Sequence, residues 1–272
     1  MSHMQFASRF GVSAASASLL AALMAVFISP AQRTEAALND DRDAPKLLIG
    51  RDDDRDDNEA IQAGAVANQS LNRTDVLIGG PANDVIFGLN GDDVLRGNDG
   101  RDIILGGPDG GPAPGGPPNS DIMFGGAGGD VNLWAPGDGS EAFFGGAGLD
   151  ALIFGSTDRD AVPDPATGVR LPTLLYGVAG FPQGIPTADV SGLNNFCTIE
   201  ASPLPEYDYL VRFRGAAGNI IVTVRIKDVE QVFCTLNAGI GFADVKGGSL
   251  DFVPVSQEVV GFVNPLVAAM IR

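Results

Sequence analysis

Four aspartates stand nine residues apart, at Asp75, Asp84, Asp93 and Asp102, and each opens a short apolar run. The runs are Val76-Leu77-Ile78, Val85-Ile86-Phe87, Val94-Leu95-Arg96 and Ile103-Ile104-Leu105. Three units follow one another without a gap, beginning at Gly79, Gly88 and Gly97. Position 1 is Gly, position 4 is Ala82, Gly91 or Gly100, position 6 is Asp, and position 8 is aliphatic. Carboxylates at a fixed interval, beside glycines whose carbonyls a ligand can approach closely, are donors for a hard cation. Ca²⁺ takes about six to eight oxygens of this kind.

The repeat is less regular further on. Gly106-Gly107-Pro108-Asp109-Gly110 opens a unit that closes only at Asp121-Ile122-Met123-Phe124. The intervening residues 111–120 are rich in Gly and Pro and have no apolar period, which predicts a loop extruded from the turn. Asp130, Glu141 and Asp150 continue the series at a spacing of about ten. The longer spacing predicts a bulge or a register shift in each short strand.

Elements follow from the spacing. The first six residues of a unit form a turn, where Gly supplies backbone angles closed to other residues. The last three form a strand too short for any but its middle side chain to enter a core, here Ile86, Leu95 and Ile104. Two units complete one coil, and stacked coils align the position-6 carboxylates along both edges. A single apolar layer is a small core and aligned carboxylates repel, so metal binding is coupled to folding.

These residues resemble the RTX, or hemolysin-type, calcium-binding repeat, G-G-x-G-x-D-x-U-x, over residues 75–155. The resemblance implies an all-β fold, a parallel β-roll over 70–155, with Ca²⁺ held between turns by position-6 side chains and glycine-turn carbonyls. Transferred position by position, it implies Asp84, Asp93, Asp102, Asp121, Asp130 and Asp150 as side-chain ligands. Asp75 and Glu141 are further candidates. Carbonyl donors would be Gly88, Asn90, Gly97, Asp99, Gly106, Pro108, Gly125 and Ala127. Ala82, the insert before Asp121 and Glu141 depart from the pattern. Ile226-Lys227-Asp228-Val229-Glu230 also resembles the segment that follows such repeat blocks.

The remaining sequence bounds the function. Of 272 residues, 34 are acidic and 17 are Lys or Arg, a net charge of −17, which argues against a nucleic-acid binder. The acid lies mainly in the first half: residues 37–154 carry 21 acidic and 7 basic side chains. Residues 1–31 read as a secretory signal, with Arg9 ahead of a small, apolar stretch and cleavage after Ala31 or Ala36. The alternative is an uncleaved membrane anchor. Residues 32–69 read as an acidic linker. Its Asp52–Glu59 run is no EF-hand, lacking the required Gly and Glu.

Residues 156–272 read as a β-rich cap that continues or closes the roll, with strands expected at 207–213, 219–226, 229–235 and 250–255. Cys197 and Cys234 are the only cysteines, and an oxidising destination favours their disulfide. The sole histidine is His3, and neither G-x-S-x-G nor H-E-x-x-H occurs. Glu206 and Asp208 could do acid–base work but read as strand-edge charges. The sequence therefore predicts a secreted, calcium-stabilised structural or interaction protein, not an enzyme, with a cell-surface or matrix partner. A hydrolase carrying the repeats as a folding module and an adhesin remain as alternatives.

Overall fold

Three apolar residues between two Gly/Asp turns leave room for only a minimal strand, and one sheet is built of such strands, but in the other Val94–Asp99, Ile122–Gly128 and Ala142–Gly148 run on into the glycines expected to turn, to six or seven residues. The computed structural model describes residues 44–50, 75–89, 91–107, 121–159, 170–192 and 195–272. Residues 1–31, read as a secretory signal, most of the stretch read as linker, Asn90, Pro108 and the 111–120 insert lie outside the described residues.

Two sheets face each other. The first contains β1 (Leu47–Ile49), β3 (Val85–Phe87), β5 (Ile103–Leu105), β7 (Val131–Trp134) and β9 (Ala151–Phe154) in parallel. The second contains β2 (Val76–Ile78), β4 (Val94–Asp99), β6 (Ile122–Gly128) and β8 (Ala142–Gly148), also parallel. The chain alternates between sheets with each unit, which makes an all-β parallel β-roll. Leu47–Ile49 falls inside the stretch read as linker, yet it is a strand: its three apolar residues pair with Val85–Phe87.

Each coil sets like positions opposite one another. Leu77 lies against Leu95 and Ile86 against Ile104, both eighteen residues apart. Across the insert, Leu95 meets Met123 without a change of register. The expected bulges in the later strands do not form, since Met123 meets Phe143 and Asn132 meets Leu152 in continuous register. The extra residues are taken up outside the pairing, in the 135–140 turn. There Asp138 Oδ2 accepts from the Ala135 amide at 2.7 Å.

The roll does not stop at β9. After an intervening segment that holds the short strands β10 (Ser156–Thr157), β11 (Leu174–Leu175), β12 (Ile185–Pro186) and β13 (Ala188–Asp189), β16 (Ile220–Lys227) pairs parallel with β8, and β17 (Gln231–Leu236) pairs parallel with β9. They form one more coil, from which both sheets turn antiparallel. β15 (Tyr209–Arg214) and β14 (Phe196–Ala201) extend the second sheet. β18 (Gly239–Asp244) and β19 (Val253–Val255) extend the first. A disulfide joins Cys197 on β14 to Cys234 on β17, with Cα atoms 6.2 Å apart, and so ties the two sheets together.

Between the sheets lies the single layer predicted from position 8: Leu77, Ile86, Leu95, Ile104, Met123, Phe143, Leu152 and Ile226 are buried. Burying one such side chain contributes about 1.5–3 kcal/mol. Asn132 interrupts the layer. Its amide nitrogen donates to Met123 Sδ at 2.7 Å, and its carbonyl oxygen has no hydrogen-bond partner.

The residues flanking position 8 point outward, as alternation requires, but the two sheets differ in what they meet. On the first sheet Val85, Phe87, Ile103, Leu105 and Leu133 are buried in a second core. Phe181, Ile185 and Val190 cover them, together with α1 (Gln257–Val263) and α2 (Pro265–Met270). Both helices are capped, since Ser256 and Asn264 side chains accept from the Val259 and Val267 amides. On the second sheet Ile78 and Ile122 remain exposed.

Candidate metal centre

The position-6 acids enter the strands at two edges of the roll. On one edge Asp84, Asp102, Asp130 and Asp150 precede β3, β5, β7 and β9; on the other Asp75, Asp93, Asp121 and Glu141 precede β2, β4, β6 and β8. All but Asp75 are buried to 1% exposure or less. Isolated buried carboxylates are costly, so their partners define the site.

On the first edge the partners form a ladder. The Asp84 amide donates to Asp102 Oδ1 at 2.7 Å, the Asp102 amide to Asp130 Oδ1 at 2.8 Å, and the Asp130 amide to Asp150 Oδ1 at 2.8 Å. Below, the Lys46 amide donates to Asp84 Oδ1 at 2.6 Å. Above, the Asp150 amide donates to Glu230 Oε2 at 2.8 Å. The second edge repeats the pattern, from the Asp75 amide to Asp93 Oδ1 and from the Asp93 amide to Asp121 Oδ1. The latter bond spans the insert, so Asp121 keeps its place despite the interruption.

The second oxygen of each acid points elsewhere. Oδ2 of Asp102, Asp130 and Asp150 is buried and accepts no hydrogen bond. It faces the glycine that opens its own unit. A Cβ on Gly125 would stand 2.5 Å from Asp130 Oδ2 and 2.6 Å from the Gly145 carbonyl oxygen of the next coil. A Cβ on Gly79 would stand 2.5 Å from both Asp84 Oδ2 and the Gly97 carbonyl oxygen. Only a glycine lets a carboxylate oxygen and a carbonyl oxygen of the next coil converge so closely at this point, and oxygens of these kinds are the donors that Ca²⁺ takes. Among the described residues no three acidic, histidine or cysteine side chains converge on one point. The cradle combines a carboxylate with peptide carbonyls, a hard, all-oxygen set that fits Ca²⁺ and not a thiophilic metal.

Burial controls the charge state. It pushes Asp102 up to about 7, Asp130 to about 8 and Asp150 to about 7, opposed by the amide each accepts from the acid below. Neighbouring carboxylates push the same way: Asp84 and Asp99 on Asp102, Asp102 and Asp150 on Asp130. Without metal the ladder favours protonation, and a divalent cation would favour the ionised form.

The side chains and the Gly88, Gly97, Gly106 and Gly125 carbonyls named from the sequence come together in this way. The Gly88 carbonyl faces Gly50, and that of Gly106 faces Gly88 and Asp93 Oδ2. The Ala127 carbonyl accepts the Gly100 amide at 2.9 Å. Asp99 lies opposite Ala127 with its side chain exposed. Asn90 and Pro108 lie outside the described residues. Sequence reasoning missed the Gly145 carbonyl, and it missed the Asp228 carbonyl and Glu230, which extend the first ladder by a coil. Glu230 fell inside the strand expected at 229–235; with the strand beginning at Gln231 it takes the place that an acid holds at every position 6.

A parallel roll lined by stacked carboxylate–carbonyl cradles defines a repeat-built metal-binding protein. Residues 72–109 match the RTX calcium-binding nonapeptide repeat in four copies. The chain therefore carries RTX calcium-binding repeats, and the ladder continues beyond the matched residues through Asp150. No curated protein and no solved structure matches the chain.

Proposed function

We propose that this chain is an exported protein that folds around Ca²⁺ and serves a structural or interaction role, without catalysis of its own. The observation that carries the reading is the row of buried carboxylate oxygens, Asp102, Asp130 and Asp150 Oδ2, each facing a carbonyl of the next coil. Bound calcium would supply the positive charge that lets these acids ionise in a buried place. The chain's residues do the rest. Oδ1 fixes each carboxylate to the coil below, and the opening glycine keeps the space clear.

Export is supported by the apolar leader over 1–31 and by the disulfide, which suits an oxidising compartment. Among the described residues no helix is long and apolar enough to cross a membrane. A calcium-stiffened surface would suit a cell-surface or matrix partner.

Calcium titration followed by circular dichroism, with cell fractionation alongside, tests the proposal. Asp93→Ala and Asp102→Ala are each expected to weaken calcium-induced folding, whereas Asp53→Ala leaves it unchanged. Equal effects at all three would mean that bulk acidity binds the metal. The same fold and melting temperature in chelator as in millimolar calcium would remove the function altogether.

A further inference from the structure

The first edge ends differently from the way it repeats. At each repeat rung one carboxylate oxygen accepts the amide below and the other faces a cradle. Asp150 keeps this form: its Oδ2 is fully buried, accepts no hydrogen bond, and would lie 2.7 Å from a Cβ on Gly145. The carbonyl opposite it comes from Asp228, in the β16–β17 turn, and takes the place the Gly145 carbonyl holds one coil below. Asp228 reaches that place with a positive φ of 51°, a backbone state uncommon outside Gly.

Glu230 copies the division of oxygens. Its Oε2 accepts the Asp150 amide, as each Oδ1 does below. Its Oε1 instead takes the Lys246 ammonium at 2.8 Å. Five residues before each ladder aspartate stands a glycine, Gly79, Gly97, Gly125 or Gly145, whereas five before Glu230 stands Arg225. Among the described residues no further cradle follows Glu230, and the cation beside it belongs to the chain. The Lys246 side chain is 68% exposed and Glu230 only 8%, so the lysine closes the site from the solvent side.

We infer that the last cation site of this edge lies at the junction of the roll with the C-terminal segment, between Asp150 Oδ2 and the Asp228 carbonyl, and that Lys246, held by the adjoining Glu230, gives this end of the ladder a fixed positive charge that stands in for calcium. The inference rests on the calcium function proposed above. Among the described residues it makes the junction the one rung with a cation of its own when calcium is scarce, where the rungs below rely on protonation, so the C-terminal coil stays attached to the stack under those conditions.

Melting of the full chain in excess chelator and in millimolar calcium tests it, comparing wild type with Lys246→Met and Lys246→Arg. Lys246→Met is expected to lose about 2–4 °C in chelator. Calcium should restore that loss, because the metal then neutralises the Asp150 cradle unopposed. Lys246→Arg, which keeps the charge, should follow wild type in both conditions. A loss in Lys246→Met that is equal in chelator and calcium would reduce the contact to an ordinary ion pair and overturn the inference. So would no loss in either condition, or an Arg variant that behaves like Met. A wild type whose melting ignores calcium would instead overturn the calcium function itself.

Discussion

Asp102, Asp130 and Asp150 are the residues on which the chemistry turns, because their folded and unfolded proton affinities differ so widely. Folded and metal-free, they titrate near 7 to 8, against an ordinary value of 3.8. Between those limits the folded chain holds protons that the unfolded chain has released, so stability must fall as pH rises through the interval. In chelator the melting temperature should therefore be highest near pH 4 to 5 and decline toward pH 8. In millimolar calcium the decline should vanish, since metal binds the ionised form and releases the protons. A melting temperature in chelator that climbs over the same window would contradict the burial described for these acids. At this scale the sequence was highly legible, because a side-chain ligand must recur with the coil. Asn132 was less so: its place two residues after Asp130 is the inward one, but its polarity argues against burial there.

Among the elements, the six-residue turn matters more than the strand it feeds. Gly125 has no unusual φ, so its lack of a side chain serves space and not backbone freedom. Gly125→Ala would place a methyl against Asp130 Oδ2 and the Gly145 carbonyl. The expected result is loss of calcium binding at that rung with the flanking rungs kept, read as a reduced number of ions bound per chain in equilibrium dialysis. A Gly125→Ala chain that binds as many ions as wild type would place the metal elsewhere.

The strands of the roll were legible from their three-residue runs. Those of the C-terminal half were found only in part. The expected strands at 219–226 and 229–235 became β16 and β17 within a residue or two. Their parallel pairing with β8 and β9 was foreseen only in general, as a cap that continues or closes the roll, because a partner tens of residues away leaves no local trace. β14, with Glu200 and Ala201 exposed, and β18, with two glycines, lack the β-branched density that would reveal them. The two short helices carry valines that propensity alone assigns to strands.

For the whole molecule, the disulfide and the two cores decide how the stack is held at its far end. Cys197 and Cys234 link one sheet to the other beyond the last repeat, near the cluster of Trp134, Phe154 and Phe213. Replacing both with Ser should cost about 3–4 kcal/mol in denaturant unfolding by the loop-closure account. The calcium concentration needed for folding of the repeats should change far less than this stability. An equal change in both would mean that the cap and the repeats fold as one step.

The second core was not foreseen, because Gly155–Asn195 has the composition of a loop and discloses its role only where Phe181 and Ile185 meet the outer side of the first sheet. Among the described residues this second core lies on the first sheet alone, while Ile78 and Ile122 of the second sheet stay exposed.

The middle coils repeat one pattern of amide-to-carboxylate bonds, whereas the bottom coil leans on Lys46 and the top one on Glu230. Length is gauged instead by the segment covering the first sheet, whose Gln183 amide donates to the Lys46 and Asn83 carbonyls at the bottom. Splicing two more nonapeptides between β3 and β4 would lift the upper half by one strand spacing, about 4.8 Å, and add a pair of graduations to what is in effect a molecular ruler.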